Sequence, residues 1–243
     1  MKNYWSQETF QQPSVSELRH RAESSLKSAK KKGQVFEPVI PENGSREICQ
    51  SWWGRAWCKN LERYADFRSR IERGKRYVRS GTVVDLKIRG GRVEARVQGS
   101  RKIPYRVSIR ISPLSEEKCQ AIIARCGQQI DSLEKLIYGE FPEDLKELFL
   151  EENGLFPSPI EISFDCSCPD WALMCKHVAA AMYAIGVRLD ENPFYFFMLR
   201  GIDIDRFIDV TLENKVEEML SNADHQTARM IDQADLTELF GIR

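Results

Sequence analysis

The 243-residue chain is poor in histidine, with only His20, His177 and His225, and it has no long apolar run. Its most apolar stretches, such as FYFFML, fall far short of the ~20 residues that a membrane-spanning helix needs. A G-x-x-x-x-G-K-[ST] loop is missing, which argues against an intrinsic NTPase. H-E-x-x-H and H-x-E…P-C-x-x-C are missing too, which removes the common metallopeptidases and nucleobase deaminases. The opening MKNYWSQETF lacks the apolar core of a secretory signal, so a cytoplasmic address with no membrane association is the expectation. Formal net charge is zero, yet 42% hydrophobic and 30% charged residues describe a chain that can bury a core.

What is present is uneven. Seven cysteines, at 49, 58, 119, 126, 166, 168 and 175, make an odd set. Without a secretory signal, that set points to reduced thiols or metal ligation and not to a disulfide framework. Charge is split along the chain. Residues 1–50 carry +2, residues 51–110 hold 17 Lys and Arg against 5 Asp and Glu, and residues 111–243 hold 11 against 25. The middle segment, at +12, suits a polyanion, whereas the last, at −14, suits another partner or covers the basic part within one fold.

Five regions follow from these shifts. Residues 1–45 read as a weakly ordered N-terminal arm, with a polar helix in SVSELRHRAESSLKSAKKKGQ and a linker in FEPVIPENGS. Residues 46–113 read as a basic helix followed by an antiparallel sheet. Trp53, Trp57, Leu61 and Tyr64 recur at helical spacing and are expected in the core. In GTVVDLKIRGGRVEARVQG, Gly90-Gly91 supplies the two positive-φ residues of a type I′ turn. With Arg89 opposite Arg92 at the tip, the register pairs Ile88 with Val93, Leu86 with Ala95 and Val84 with Val97 on one side. Lys87 faces Glu94, and Asp85 faces Arg96, on the other. YRVSIRIS adds a third strand with Tyr105, Val107, Ile109 and Ile111 inward. Arg89, Arg92, Arg101, Lys102, Arg106 and Arg110 lack a local carboxylate and are the candidate phosphate contacts. Residues 114–158 read as helical, with Cys119 and Cys126 as small core residues.

Residues 159–188 carry the chemistry. IEISFD alternates as a short strand, with Ile160, Ile162 and Phe164 on one side. Cys166-x-Cys168 stands at its end, and after six residues Cys175-x-His177 opens the helical run VAAAMYAIG. Two ligands from a strand end and two from a helix start can converge on one tetrahedral zinc ion. A full set of protein ligands leaves no position for a catalytic water, so the expected role is structural. Asp165 reads as the strand end, and Asp170 as a cap on the turn or a support for the ligands. Trp171 either stacks on a partner or packs over the site. His20 and His225 read as surface residues. Residues 189–243 form an acidic helical C-terminal region, with DIDRFIDVTLENKVEEMLSN backing the finger.

The pattern C-x-C-x6-C-x-H in a strand-to-helix setting resembles the SWIM zinc finger. RGKRYVRSGTVVDLKIRGGRVEARVQGSRKIPYRVSI upstream, and FYFFMLRGID with ADLTELFG downstream, resemble bacterial proteins that carry this finger, so the likeness spans roughly residues 50 to 243. It implies zinc ligation by Cys166, Cys168, Cys175 and His177. It also implies binding to DNA or protein, and a Snf2-type helicase/ATPase as partner. The expected fold is α+β: a small antiparallel sheet region, then helices and a strand-turn-helix finger. The expected function is that of a non-enzymatic accessory module. A protein-interaction adaptor that binds no DNA is the alternative, and a metallohydrolase would require one ligand to be absent from the metal.

Overall fold

The computed structural model describes residues 13–42, 47–64, 66, 68–129, 146–151 and 154–223. Helix α1 spans Val15–Lys31, α2 Trp52–Leu61 and α3 Arg68–Arg79. Strands β1 (Val83–Arg89), β2 (Arg92–Val97) and β3 (Tyr105–Ile111) follow, then α4 (Glu116–Gln129) and α5 (Lys146–Leu150). Strand β4 (Ile162–Cys166) leads to α6 (Lys176–Glu191), α7 (Tyr195–Leu199) and α8 (Ile204–Ala223). The four strands form one antiparallel sheet in the order β1-β2-β3-β4, so the chain is α+β. No helix among the described residues is long and apolar enough to cross a membrane.

The hairpin register is the expected one from Arg89↔Arg92 to Asp85↔Arg96. Gly90 and Gly91 have φ of 39° and 72°, a region that side chains with a β-carbon avoid. The register then slips: Val97 pairs with Val83, not Val84, because an irregularity intervenes before Asp85. Both valines are buried nonetheless. On the outer face Lys87 stands opposite Glu94 but reaches Glu37 at 3.9 Å, and Glu94 accepts from Ser108 Oγ at 2.8 Å. The expected Lys87–Glu94 pair gives way because a neighbouring segment supplies an alternative. That segment is the stretch expected as a linker. Leu86 N–H donates to the Glu37 carbonyl, and Val39 N–H to the Val83 carbonyl, so residues 37–39 lie along the outer edge of β1 and blunt it.

Helix α6 is the centre of the molecule. Twelve of its residues, from His177 to Leu189, are buried, which is the mark of a helix enclosed on all sides. The sheet covers one side, and α2 and α3 cover the other. Small residues allow this: a β-carbon at Gly74 of α3 would lie 2.5 Å from that of Ala179, so the two backbones approach where neither can carry more. Trp57 Nε1 donates to the Met182 carbonyl at 2.8 Å, and Trp53 Nε1 to that of Leu189 at 2.8 Å. The aromatic stripe of α2 therefore serves packing.

Helix α3 was not expected, and it, rather than the acidic C-terminal helix, backs α6; α8 packs on α4. Arginines and Gly74 obscure the buried positions Ile71, Gly74, Tyr77 and Val78, which recur at helical spacing. Ile160 does not join the inward row of β4 but is 94% exposed. Ser158 and Glu161 cap each other around a 3-10 turn over Pro159–Glu161, so the strand starts only at Ile162. Cys119 is buried as expected. The side chain of Cys126, all of His225 and residues 130–145 of the segment expected as helical lie outside the described residues.

Candidate metal centre and cationic surface

Strand β4 pairs with β3 as far as Val107↔Cys166, which fixes the first thiol at the sheet's end. Cys175 is the N-cap of α6: its sulfur accepts from the Val178 N–H at 3.5 Å. His177 follows in the first turn. The ligand atoms of Cys166, Cys168, Cys175 and His177 all lie within 4.8 Å of one another. His177 Nδ1 is 4.0 Å from Cys166 Sγ and 3.9 Å from Cys175 Sγ. Tetrahedral coordination at ~2.3 Å per sulfur requires ligand atoms about 3.8 Å apart, so the donor set fits a four-coordinate metal.

The imidazole is oriented by packing. Tyr105 stacks on it at 4.2 Å, and Tyr77 meets it edge-on at 5.6 Å. A β-carbon at Gly99 would fall 2.9 Å from Nε2. That Nε2 is buried without a hydrogen-bond partner among the described residues, which leaves Nδ1 as the atom turned to the thiols. Protons are shared unequally among the cysteines. Cys175 is drawn down to about 4 by its hydrogen bond with Cys166, which outweighs burial, with help from His177 and the Val178 N–H. Cys166 is pushed up by the same bond and by burial, and Cys168 by burial.

The loop between the ligand pairs is tethered from α3 and its approach. Asp170 Oδ1 meets Arg70 at 3.1 Å and accepts from the Ala172 N–H. It thus caps the turn, as expected. Asp66 accepts from the N–H groups of Leu173 and Met174. Neither Asp66 nor Arg70 stands out in the sequence, because nothing local marks a contact across a hundred residues. Trp171 is 84% exposed at the loop tip, and Leu173 is exposed beside it. Asp165 pairs with Ser108 inside β4 and is exposed; His20 is exposed on α1.

All six candidate phosphate-binding cations are exposed, and none makes an ion pair among the described residues. They divide into two groups. Cross-strand pairing sets Arg89, Arg92 and Arg110 in one row at the hairpin tip, and Arg106 beside Arg96 in another. The four residues from Arg92 to Arg96 separate these rows by about 14 Å. Between them runs Lys87, Glu94, Ser108 and Asp165. Arg101 and Lys102 lie in the loop after β2 and line a cleft of about 680 Å³ against α1, together with Arg21, Lys32, Phe36 and Arg96. No carboxylate lines that cleft among the described residues. Arg101 lies over the Tyr105 ring at 5.4 Å, a cation–π contact absent from the sequence reading.

The profile of the SWIM zinc finger matches residues 165–186, which span the four ligands. The uncharacterized protein Rv2102 of Mycobacterium tuberculosis is 34% identical over 180 residues, covering 73% of this chain and 65% of that protein. The chain thus spans less than two thirds of that relative's length. No solved structure matches.

Proposed function

Since the chain carries a SWIM zinc finger at residues 165–186, we propose that it is a non-enzymatic, zinc-dependent accessory module that grips nucleic-acid phosphates. Zinc is held by Cys166, Cys168, Cys175 and His177, and its role is structural: four protein ligands complete a tetrahedral shell. Bound there, it crosslinks the end of β4 to the first turn of α6. The observation that carries the nucleic-acid reading is the set of six exposed cations that, among the described residues, make no ion pair, two of them lining a cleft where no described residue offers a carboxylate. Arg89, Arg92 and Arg110 would meet one stretch of backbone, and Arg101, Lys102 and Arg106 another. The exposed Trp171 offers a stacking surface at the zinc loop.

The partner reading rests on resemblance and on one surface. Helix α8 exposes Leu212, Val216 and Met219 at helical spacing beside Glu213 and Glu217. A Snf2-type helicase/ATPase docking there would supply the ATP-driven work in the cytoplasm. The same surface supports the second reading, an adaptor that binds no DNA.

Fluorescence anisotropy of the full chain on short duplex and single-stranded DNA, at two salt concentrations, separates the two. Phosphate binding predicts a steep loss with salt, and a slope that falls by about 0.9 for each duplex contact removed. Replacing Arg89, Arg92 and Arg110 with alanine, and separately Arg101, Lys102 and Arg106, therefore flattens the salt dependence. Zinc-loaded protein that binds neither DNA at low salt leaves the adaptor.

A further inference from the structure

Cys49 and Cys58 lie apart from the metal group. Cys49 comes two residues before Ser51, the N-cap of α2, and Cys58 sits on α2 itself. Where α2 crosses α6, Gly186 leaves a bare patch, and there the two sulfurs meet at 3.3 Å. A β-carbon at Gly186 would fall 2.8 Å from one sulfur and 3.1 Å from the other, so the glycine makes the space both occupy. Cys49 is 1% exposed. Both thiols line a cleft of about 480 Å³, with Lys59 and Tyr183, but only Cys58, half-buried, is open to it. The cleft is within the size range of small-molecule sites. No third metal-ligating side chain completes a group with these thiols among the described residues.

We infer that Cys49 and Cys58 form a reversible dithiol–disulfide site that reacts with a low-molecular-weight disulfide entering at Cys58. The placement assigns the roles. Cys58 faces the cleft, loses its proton to solvent, and as thiolate attacks one sulfur of the incoming disulfide. A mixed disulfide forms on Cys58, and the first small thiolate leaves. Cys49 then attacks the Cys58 sulfur, its proton passing to the second departing thiolate. The products are a Cys49–Cys58 disulfide and two small thiols: the protein's sulfurs are oxidised, and the reagent's are reduced. Closing the bond takes the sulfurs from 3.3 Å to ~2.05 Å. Cys49 is held protonated by its hydrogen bond with Cys58 and by burial, which fits a second, intramolecular attack.

The test uses the full-length, zinc-loaded chain in buffers of reduced and oxidised glutathione, with thiols trapped by alkylation and mapped by mass spectrometry. The expected product is one Cys49–Cys58 disulfide, with zinc still bound and reversal by excess reduced glutathione. Cys49→Ser should accumulate a glutathione adduct on Cys58, while Cys58→Ser leaves Cys49 reduced. Alkylation of both thiols in oxidising buffer while zinc remains bound would overturn the inference. So would a glutathione adduct on wild-type Cys58 that never resolves. The wild-type measurement stands even if a variant fails to fold, and neither outcome depends on DNA binding.

Discussion

Around the first turn of α6, three thiols converge with an imidazole; farther along the same helix, two thiols meet over Gly186 with no third metal-ligating side chain completing a group among the described residues. Nine residues, or about 13.5 Å of helix, separate His177 from Gly186. At the first site a helix N-terminal N–H and a buried ring fix the sulfurs around a point. At the second, a missing β-carbon leaves room for a pair. Cysteine chemistry is decided by what else is aimed at the sulfur, and the sheet end and the helix start together aim four donors where α2 and the segment before it aim two.

The largest effect should separate the two sites outright. Cys175→Ala removes a metal ligand and the N-cap of the central helix. Structural zinc contributes roughly 10–16 kcal/mol in finger peptides, comparable with the whole stability of ordinary domains, about 5–15 kcal/mol. Zinc content should fall to background and the cooperative thermal melt should disappear, while Cys58→Ala keeps one zinc per chain and a cooperative melt. A Cys175→Ala protein that retained its zinc would dissolve the distinction.

Smaller changes probe the packing that shapes each site. Gly99→Ala places a methyl 2.6 Å from Tyr105 and 2.9 Å from His177 Nε2, turning the imidazole away from the thiols. Zinc affinity, read by competition with a chromogenic chelator, should weaken about 10–100-fold, as when supports of a metal ligand are lost. Gly186→Ala crowds the other pair. Overpacking costs about 1–3 kcal/mol against a gain of about 1 kcal/mol in helix propensity; the melt should shift modestly and zinc affinity stay put.

The finest distinction is one proton. With Cys175 held at about 4 and Cys166 and Cys168 pushed up, zinc displaces two thiol protons and not three at mildly alkaline pH. A plot of log affinity against pH should rise with a slope near two, and binding should be lost as the solution is acidified. A slope of three would mean that the helix N-terminus and Cys166 do not ionise Cys175.

What could be read from the sequence was local. Gly90-Gly91 and the alternation around it dictate a hairpin whose register survives to Asp85, and twelve residues contain all four candidate metal ligands. What could not be read joins distant segments. Asp66 and Arg70 tether the finger loop, residues 37–39 line β1, and Cys49 finds Cys58 only because α6 presents a glycine there. The outer-face arginines were legible as residues but not as two rows, since that division depends on β3 taking its place beside β2.

The order of strands carries a consequence for how the chain assembles. The hairpin turn and the loop after β2 join β1, β2 and β3 within 29 residues, so their pairing closes short loops. The pairing of Ile111 with Ile162 closes a loop of about 50 residues, and loop-closure entropy must be met before such contacts stabilise anything. On a chain emerging from the ribosome the meander is complete long before β4 appears. Its buried face must wait for α6, and the seam between β3 and β4, which closes the longest loop, is the last of the sheet to close.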